Sequence, residues 1–320
     1  MRLSDKILVT GHKGLVGSAI VRHLRRLGYQ NILTWDRKDI DLRDPIAVKW
    51  AFSVFEPRYV FMAGARVGGI KANMEDQAGF MLDNLNIQQN VMVNAHEYGA
   101  HKLLFLGSSC IYPEHATNPI CESSLLMGTL QPANEGYALA KICGLKLGQY
   151  LREQHNFDVI SAMPCNLFGP NDNFNEHTAH VVPGMMARMY RAARAGCPTF
   201  DVWGNPNASR ELLFSDDLAD ALVFLMKNYS SNEPVNVGSD DCMSMALIAD
   251  NISRTVRYQG YLKFTGEHVG TEHKKMSVEK LKRLGWYPKT KFAAALDITF
   301  KSFLSLQEDP NTPAHRISRT

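Results

Sequence analysis

Lys6-Ile7-Leu8-Val9-Thr10-Gly11-His12-Lys13-Gly14-Leu15-Val16-Gly17 decides how the rest of the chain is read. Lys6 to Thr10 is a β-branched apolar run of the kind a buried parallel strand requires. It ends in G-x-x-G-x-x-G. Residues 15 to 28 then place Leu15, Val16, Ile20, Leu24 and Leu27 at helical spacing, with Gly28 as the stop. Strand, glycine turn and helix form the context in which such glycines cradle phosphate. One makes the tight turn, one lets backbone N–H groups approach a pyrophosphate, and one lets helix and strand pack closely. The helix N-terminus then faces the negative charge.

Outward from this turn the alternation continues. Residues 31–35, 59–63, 102–106 and 158–163 read as strands, and 45–55, 79–98 and 137–154 as helices. Strands separated by helical stretches imply βαβ units and a doubly wound parallel sheet of Rossmann type, with helices on both faces. After Phe168 the texture changes to a Pro/Asn/Gly-rich connection, a helix, and the loop Trp203–Leu212. A further helix follows at 214–227, a late sheet strand at 235–237 and a helix at 243–258. The expected organisation is a nucleotide-binding domain over 1–168 with a returning segment near 212–238. A smaller α/β C-terminal substrate domain takes 169–211 and 239–308, and 309–320 is a flexible tail.

Composition narrows the function classes. The chain has 320 residues, with 35 Lys+Arg against 32 Asp+Glu for a net charge of +3, and 45% of its residues are hydrophobic. That balance excludes an intrinsically disordered chain, and no basic stripe is present to neutralise nucleic-acid phosphates. Neither a secretory signal nor a run long and apolar enough for a transmembrane helix is found, so no membrane partner is expected. Six scattered cysteines form no C-x-x-C pair, so neither a zinc module nor a disulfide framework is expected. A reduced, cytoplasmic protein follows.

Two further constellations carry chemistry. Trp35-Asp36-Arg37-Lys38 closes the second strand, where a carboxylate can accept from ribose hydroxyls and an arginine can pair with a 2′-phosphate. With Lys13 in the glycine turn, the mix favours NADPH over NADH, and Arg37 is the residue expected to select it. Ala63-Gly64-Ala65 ends the third strand with side chains small enough for a dinucleotide to pass. Tyr137-Ala138-Leu139-Ala140-Lys141 puts a phenol and an ammonium on one helix face. A neighbouring ammonium is expected to lower the tyrosine pKa and make it a proton donor to a carbonyl being reduced. Leu106-Gly107-Ser108-Ser109 ends the preceding strand, bringing a hydroxyl toward the same carbonyl oxygen.

The glycine turn, Ser108, Tyr137 and Lys141, in that order, resemble the extended short-chain dehydrogenase/reductases acting on nucleotide sugars. Five further stretches narrow the likeness to that family's GDP-sugar 3,5-epimerase/4-reductases. These are Val67-Gly68-Gly69-Ile70, Leu106 to Pro113, Asn134-Glu135-Gly136-Tyr137-Ala138, Gly169 to Phe174, and His180-Val181-Val182-Pro183. The resemblance covers roughly residues 5 to 305. It implies NADPH-dependent 3,5-epimerisation and 4-reduction of GDP-4-keto-6-deoxy-D-mannose to GDP-L-fucose in one active site.

What that resemblance implies for residues is specific. Ser108, Tyr137 and Lys141 serve reduction, and Cys110 and His180 are the acid/base pair that inverts C3 and C5. The dinucleotide meets Gly11, Lys13, Gly14, Leu15, Val16, Gly17, Arg37, Ala63, Ala65, Leu106 and Lys141. Pro164, Asn166, Leu167 and His180 pass its nicotinamide end. Arg188, Trp203, Arg210 and Lys274 receive the GDP, since a diphosphate needs cations. Ser277 departs from the family pattern, where an Asp is usual three residues after the lysine. The resemblance also implies a homodimer through helices 79–98 and 137–154; taken alone, their apolar faces only cover the sheet. Two other readings stay open from sequence: a colitose-type synthase acting on a 3-deoxy GDP-keto-sugar, and a catalytically silent NADP-binding sensor.

Overall fold

The computed structural model describes residues 1–176, 178–266, 273–309, 312, 316 and 317. In chain order, β1 (Ile7–Thr10), α1 (Leu15–Arg26), β2 (Ile32–Leu33), α2 (Pro45–Phe55) and β3 (Tyr59–Met62) come first. Next are α3 (Ile70–Glu75), α4 (Gln77–Glu97), β4 (Lys102–Leu106), α5 (Glu135–His155) and β5 (Asp158–Pro164). Then come β6 (Asn166–Phe168), α6 (Val181–Arg194), β7 (Thr199–Val202), β8 (Ser209–Phe214) and α7 (Ser215–Asn228). The chain continues with β9 (Val235–Val237), β10 (Cys242–Ser244), α8 (Met245–Val256), β11 (Tyr261–Phe264), β12 (His273–Lys274), α9 (Glu279–Arg283) and α10 (Phe292–Glu308).

Six strands form one parallel sheet in the order β2-β1-β3-β4-β5-β9. Its strands are near-continuous apolar runs because both faces are covered. α1 packs with α7 and α4 packs with α5, and every residue of β1, β3 and β4 is buried. Neighbour order reverses between β1 and β3, so a crevice opens where those strands end. The remaining strands build a smaller assembly. β8 is flanked by β10 and β12 and also pairs with β6, while β11 pairs with β7. α6, α8 and α10 close a second apolar cluster there, centred on Phe168, Phe174, Met186, Phe214, Ile248 and Phe303.

Local signals explain some element starts. Asp44 caps α2 by accepting from the amides of Ile46 (2.9 Å) and Ala47 (3.2 Å), with Pro45 at the first helical position. Asp76 does the same for α4 through Gly79 at 3.1 Å, so that helix begins before residue 79.

Three expectations need correction. The strand read over 31–35 pairs only at Ile32–Leu33, because the Trp35 indole turns into α2 and meets Phe52 edge-on at 5.2 Å. The loop read over 203–212 becomes strand from Ser209 onward, held by three non-local partners of β8. Within 309–320, expected to be a flexible tail, Arg316 and Ile317 are docked. The Arg316 carbonyl accepts from the Phe174 amide at 2.8 Å, and the Ile317 side chain is buried in the second cluster. Thr312 is buried as well, and the rest of that stretch lies outside the described residues. α10 was not expected at all, although Ala295, Leu296, Thr299 and Phe303 mark one buried helical face.

Phe61 fills the middle of the sheet with no solvent exposure. Phe61→Ala is therefore expected to destabilise the fold by about 3–5 kcal/mol, read as a lowered urea midpoint with an unchanged m-value.

Candidate active site

The crevice between β1 and β3 is built by backbone approach. Gly11 has φ +68°, and a Cβ there would sit 2.8 Å from the Gly64 Cα. A Cβ on Gly17 would lie 2.2 Å from the Gly11 carbonyl oxygen. The Thr10 hydroxyl accepts from the Gly64 amide at 2.8 Å and ties the two strand ends together. Leu15, Val16 and Gly17 open α1 directly over this turn. The cradle is free of side chains and backed by a helix N-terminus, which fits a dinucleotide pyrophosphate. Lys13 is ion-paired with Asp36 at the end of the β2 segment, and that ammonium holds the exposed carboxyl below its usual range. Arg37 lies beside them, 73% exposed, with Asp41 at 3.6 Å. Ala63 and Ala65 flank Gly64 just past β3.

Ser108 caps a short 3-10 turn, Ser109–Ile111, at the end of β4, and its hydroxyl oxygen accepts from the Cys110 amide at 3.3 Å. The hydroxyl also bonds the Tyr137 phenol. Lys141, only 5% exposed, donates to the Leu106 carbonyl at 2.8 Å and sits 5.8 Å from the Tyr137 ring centre. Serine, thiol, phenol and ammonium are thus assembled at one strand end. Their titration departs from the sequence expectation. Burial pushes the Tyr137 phenol up, with the charge of Cys110 adding to the rise and the Ser108 hydrogen bond opposing it. Burial also pulls Lys141 down to about 8. Lys141 does not lower the phenol here; desolvation of the pair outweighs their proximity.

The other expected residues fall into two groups. His180 caps α6, beside the Gly69 backbone, which donates to Thr178 at 3.2 Å. The residue is exposed at the surface, while desolvation of its imidazole lowers its pKa. Pro164 ends β5, while Asn166 and Leu167 lie in β6. Lys274 stands in register with Arg210 across β12 and β8, and donates to the Ser109 carbonyl at 2.9 Å. It shares a cavity with Cys110. Arg188 is farther out. It stacks on Trp203 at 3.7 Å, and burial lowers it to about 10. Ser277, where the family pattern has Asp, is held through its backbone to Ile120 and Asn236.

Three contributors were not singled out from sequence. Asn134 donates its amide to the Cys110 sulfur at 3.5 Å, although it stood within a quoted motif. Asn236 joins the Tyr112 hydroxyl (2.5 Å) to the Ile120 (3.0 Å) and Ser277 (3.1 Å) carbonyls. Glu211, 1% exposed, accepts from the amides of Met276 (2.9 Å) and Asp240 (3.1 Å), and burial pushes its carboxyl up. Nothing in the local sequence marks the last two.

A dinucleotide cradle beside a Ser-Tyr-Lys end of β4 is the site of a nucleotide-dependent epimerase or reductase. The family model described as the NAD dependent epimerase/dehydratase family matches residues 7–238, and the chain belongs to that family. Among its curated relatives, it is 46% identical to GDP-L-fucose synthase 1 of Arabidopsis thaliana over 302 residues, covering 94% of each chain. A GDP-L-colitose synthase of Yersinia pseudotuberculosis is 31% identical over 94% of this chain and 98% of its own. The solved GDP-L-fucose synthetase of Naegleria fowleri bound to NADP superposes with a TM-score of 0.91 at 33% identity. That likeness covers 96% of this chain and 95% of the other.

The Lys141 shift gives a stability test. A lysine whose folded pKa lies below its ordinary 10.5 makes the fold less stable at all pH values below about 8. The penalty fades as pH rises to 10.5, where both states are neutral. Lys141→Met is expected to be more stable than the parent by about 2 kcal/mol at pH 7, with the gap closing by pH 11 in urea titrations.

Proposed function

We propose that this chain converts GDP-4-keto-6-deoxy-D-mannose to GDP-L-fucose with NADPH, epimerising C3 and C5 and reducing C4 in one site. The observation that carries the reading is the thiol of Cys110 placed beside the Ser108–Tyr137 pair. A plain ketone reduction needs no such base, whereas inversion α to a carbonyl needs a proton acceptor and a donor at the ring. The relatives called GDP-L-fucose synthase support the product, and the NADP in the solved Naegleria fowleri structure supports the cofactor. NADPH, when bound, supplies the hydride for C4.

The chain's own groups then divide the proton work. Cys110 Sγ and His180 take and return the protons on C3 and C5, and the low imidazole pKa keeps His180 able to accept one. Asn134 donates to Cys110 Sγ, the sulfur that becomes a thiolate when it acts as the base. While that thiolate is charged, it raises both Tyr137 and Lys141, so the phenol holds its proton and the ammonium stays charged. Tyr137 Oη gives up this proton only to a stronger base, such as the alkoxide formed at C4, and Ser108 holds that oxygen in place. Arg188, Arg210, Lys274 and Trp203 are assigned to the GDP. Arg37 and Lys13 are assigned to the 2′-phosphate end of the cofactor.

The reading extends to assembly and setting. Leu82 on α4 and Leu139 and Tyr150 on α5 are exposed on two helices that pack side by side, which supports a homodimer through that pair. Six free thiols support a reducing, cytoplasmic setting.

The deciding experiment follows NADPH oxidation with GDP-4-keto-6-deoxy-D-mannose in D₂O, with NMR of the product. Oxidation, deuterium at C3 and C5 and an L-galacto product are expected. A folded, NADPH-binding protein that leaves this substrate untouched overturns the assignment; turnover of the 3-deoxy analogue in its place identifies a colitose-type enzyme. Cys110→Ser is expected to keep the NADPH Kd and to slow deuterium incorporation by about 10²–10⁴-fold.

A further inference from the structure

Arg316 lies against the nucleotide turn. With the Arg316 backbone pinned to Phe174 and Ile317 buried, the Arg316 guanidinium reaches across and donates to the Lys13 carbonyl between Gly11 and Gly14. Beneath it lies Asp172, 4% exposed. One carboxylate oxygen of Asp172 accepts from the Asn173 amide at 2.8 Å, and the other is buried without a hydrogen-bond partner. Arg316 and Asp172 feel each other's charge, and burial lowers the arginine and raises the carboxyl to about 7.

A guanidinium kept only for Asp172 would satisfy that second oxygen. Here its hydrogen bond goes instead to the backbone of the phosphate cradle. Lys13, the ammonium within the turn, is turned aside to Asp36. A helix N-terminus alone offers only about half a positive charge, against two on a pyrophosphate. The desolvated cation touching the turn is therefore Arg316.

We propose that Arg316 is a cofactor-affinity residue: its guanidinium neutralises the pyrophosphate of the bound dinucleotide at the glycine turn. The proposal rests on reading the crevice as an NADP(H) site. Asp172 is the counter-charge that keeps the arginine aimed there between turnovers.

The test measures dissociation constants by fluorescence titration, with Tm recorded for each variant. Arg316→Ala is expected to weaken NADPH and ADP-ribose about tenfold, to leave 2′-AMP and GDP unchanged, and to lower Tm by baring the Asp172 carboxylate. Arg316→Lys is expected to fall between the two, lacking the planar fork. The double variant Asp172→Asn/Arg316→Ala removes the bared charge. Recovered Tm with NADPH still weak supports the proposal, also where the single variant fails to fold. NADPH affinity recovered along with Tm, or unchanged in Arg316→Ala, overturns it. A parent protein that binds no NADPH would instead overturn the reading of the crevice itself.

Discussion

The structure depends on one steric constraint, the contact of three backbone segments at Gly11, Gly17 and Gly64. No side chain fits between the turn after β1, the first turn of α1 and the end of β3. That closeness fixes the axis of α1 against the sheet at the point where strand order reverses. Because the sheet is parallel, every strand then delivers its C-terminal residues to the same rim. Ser108 follows β4, Pro164 closes β5 and Gly238 follows β9, so one packing decision lines up a cofactor track and a row of reactive side chains.

Burial then sets what those side chains can do. Tyr137 and Lys141 are drawn out of water together, and desolvation moves each toward its neutral form. In such a pair the decisive charge is the next one brought in. A charge on Cys110 would be that one, since it pushes the phenol and the ammonium upward at once.

How much of this was legible in the sequence follows the range of the interactions. The glycine turn, the Ser108 strand end and the Tyr137–Lys141 face are each encoded within a single βα unit, where spacing and residue type determine geometry. Element ends set by local caps, such as Asp44 before Pro45, were legible for the same reason. β8 was not, since Ser209–Phe214 becomes strand through partners drawn from β6, β10 and β12. Glu211 and Asn236 look like ordinary polar residues until distant amides and carbonyls converge on them. The direction of the Tyr137 shift was hidden too, because spacing gives proximity to Lys141 but says nothing of how much water the pair has lost.

The two apolar clusters bear on the chemistry through this long-range polar layer. Cys110 lies in the turn that follows β4 of the main sheet, whereas His180 opens α6, which belongs to the second cluster. On the function proposed, a sugar ring must lie between them with one group on each face, so their separation is set by whatever locks the clusters together. Glu211, on β8 between residues of the second cluster, accepts from the Met276 amide in the first, and that bond spans the junction. Lys274 adds a second link, from β12 to the backbone of Ser109 beside the thiol. Inversion at two carbons demands a fixed span between acid and base, while reduction needs only the β4 end and the cofactor track.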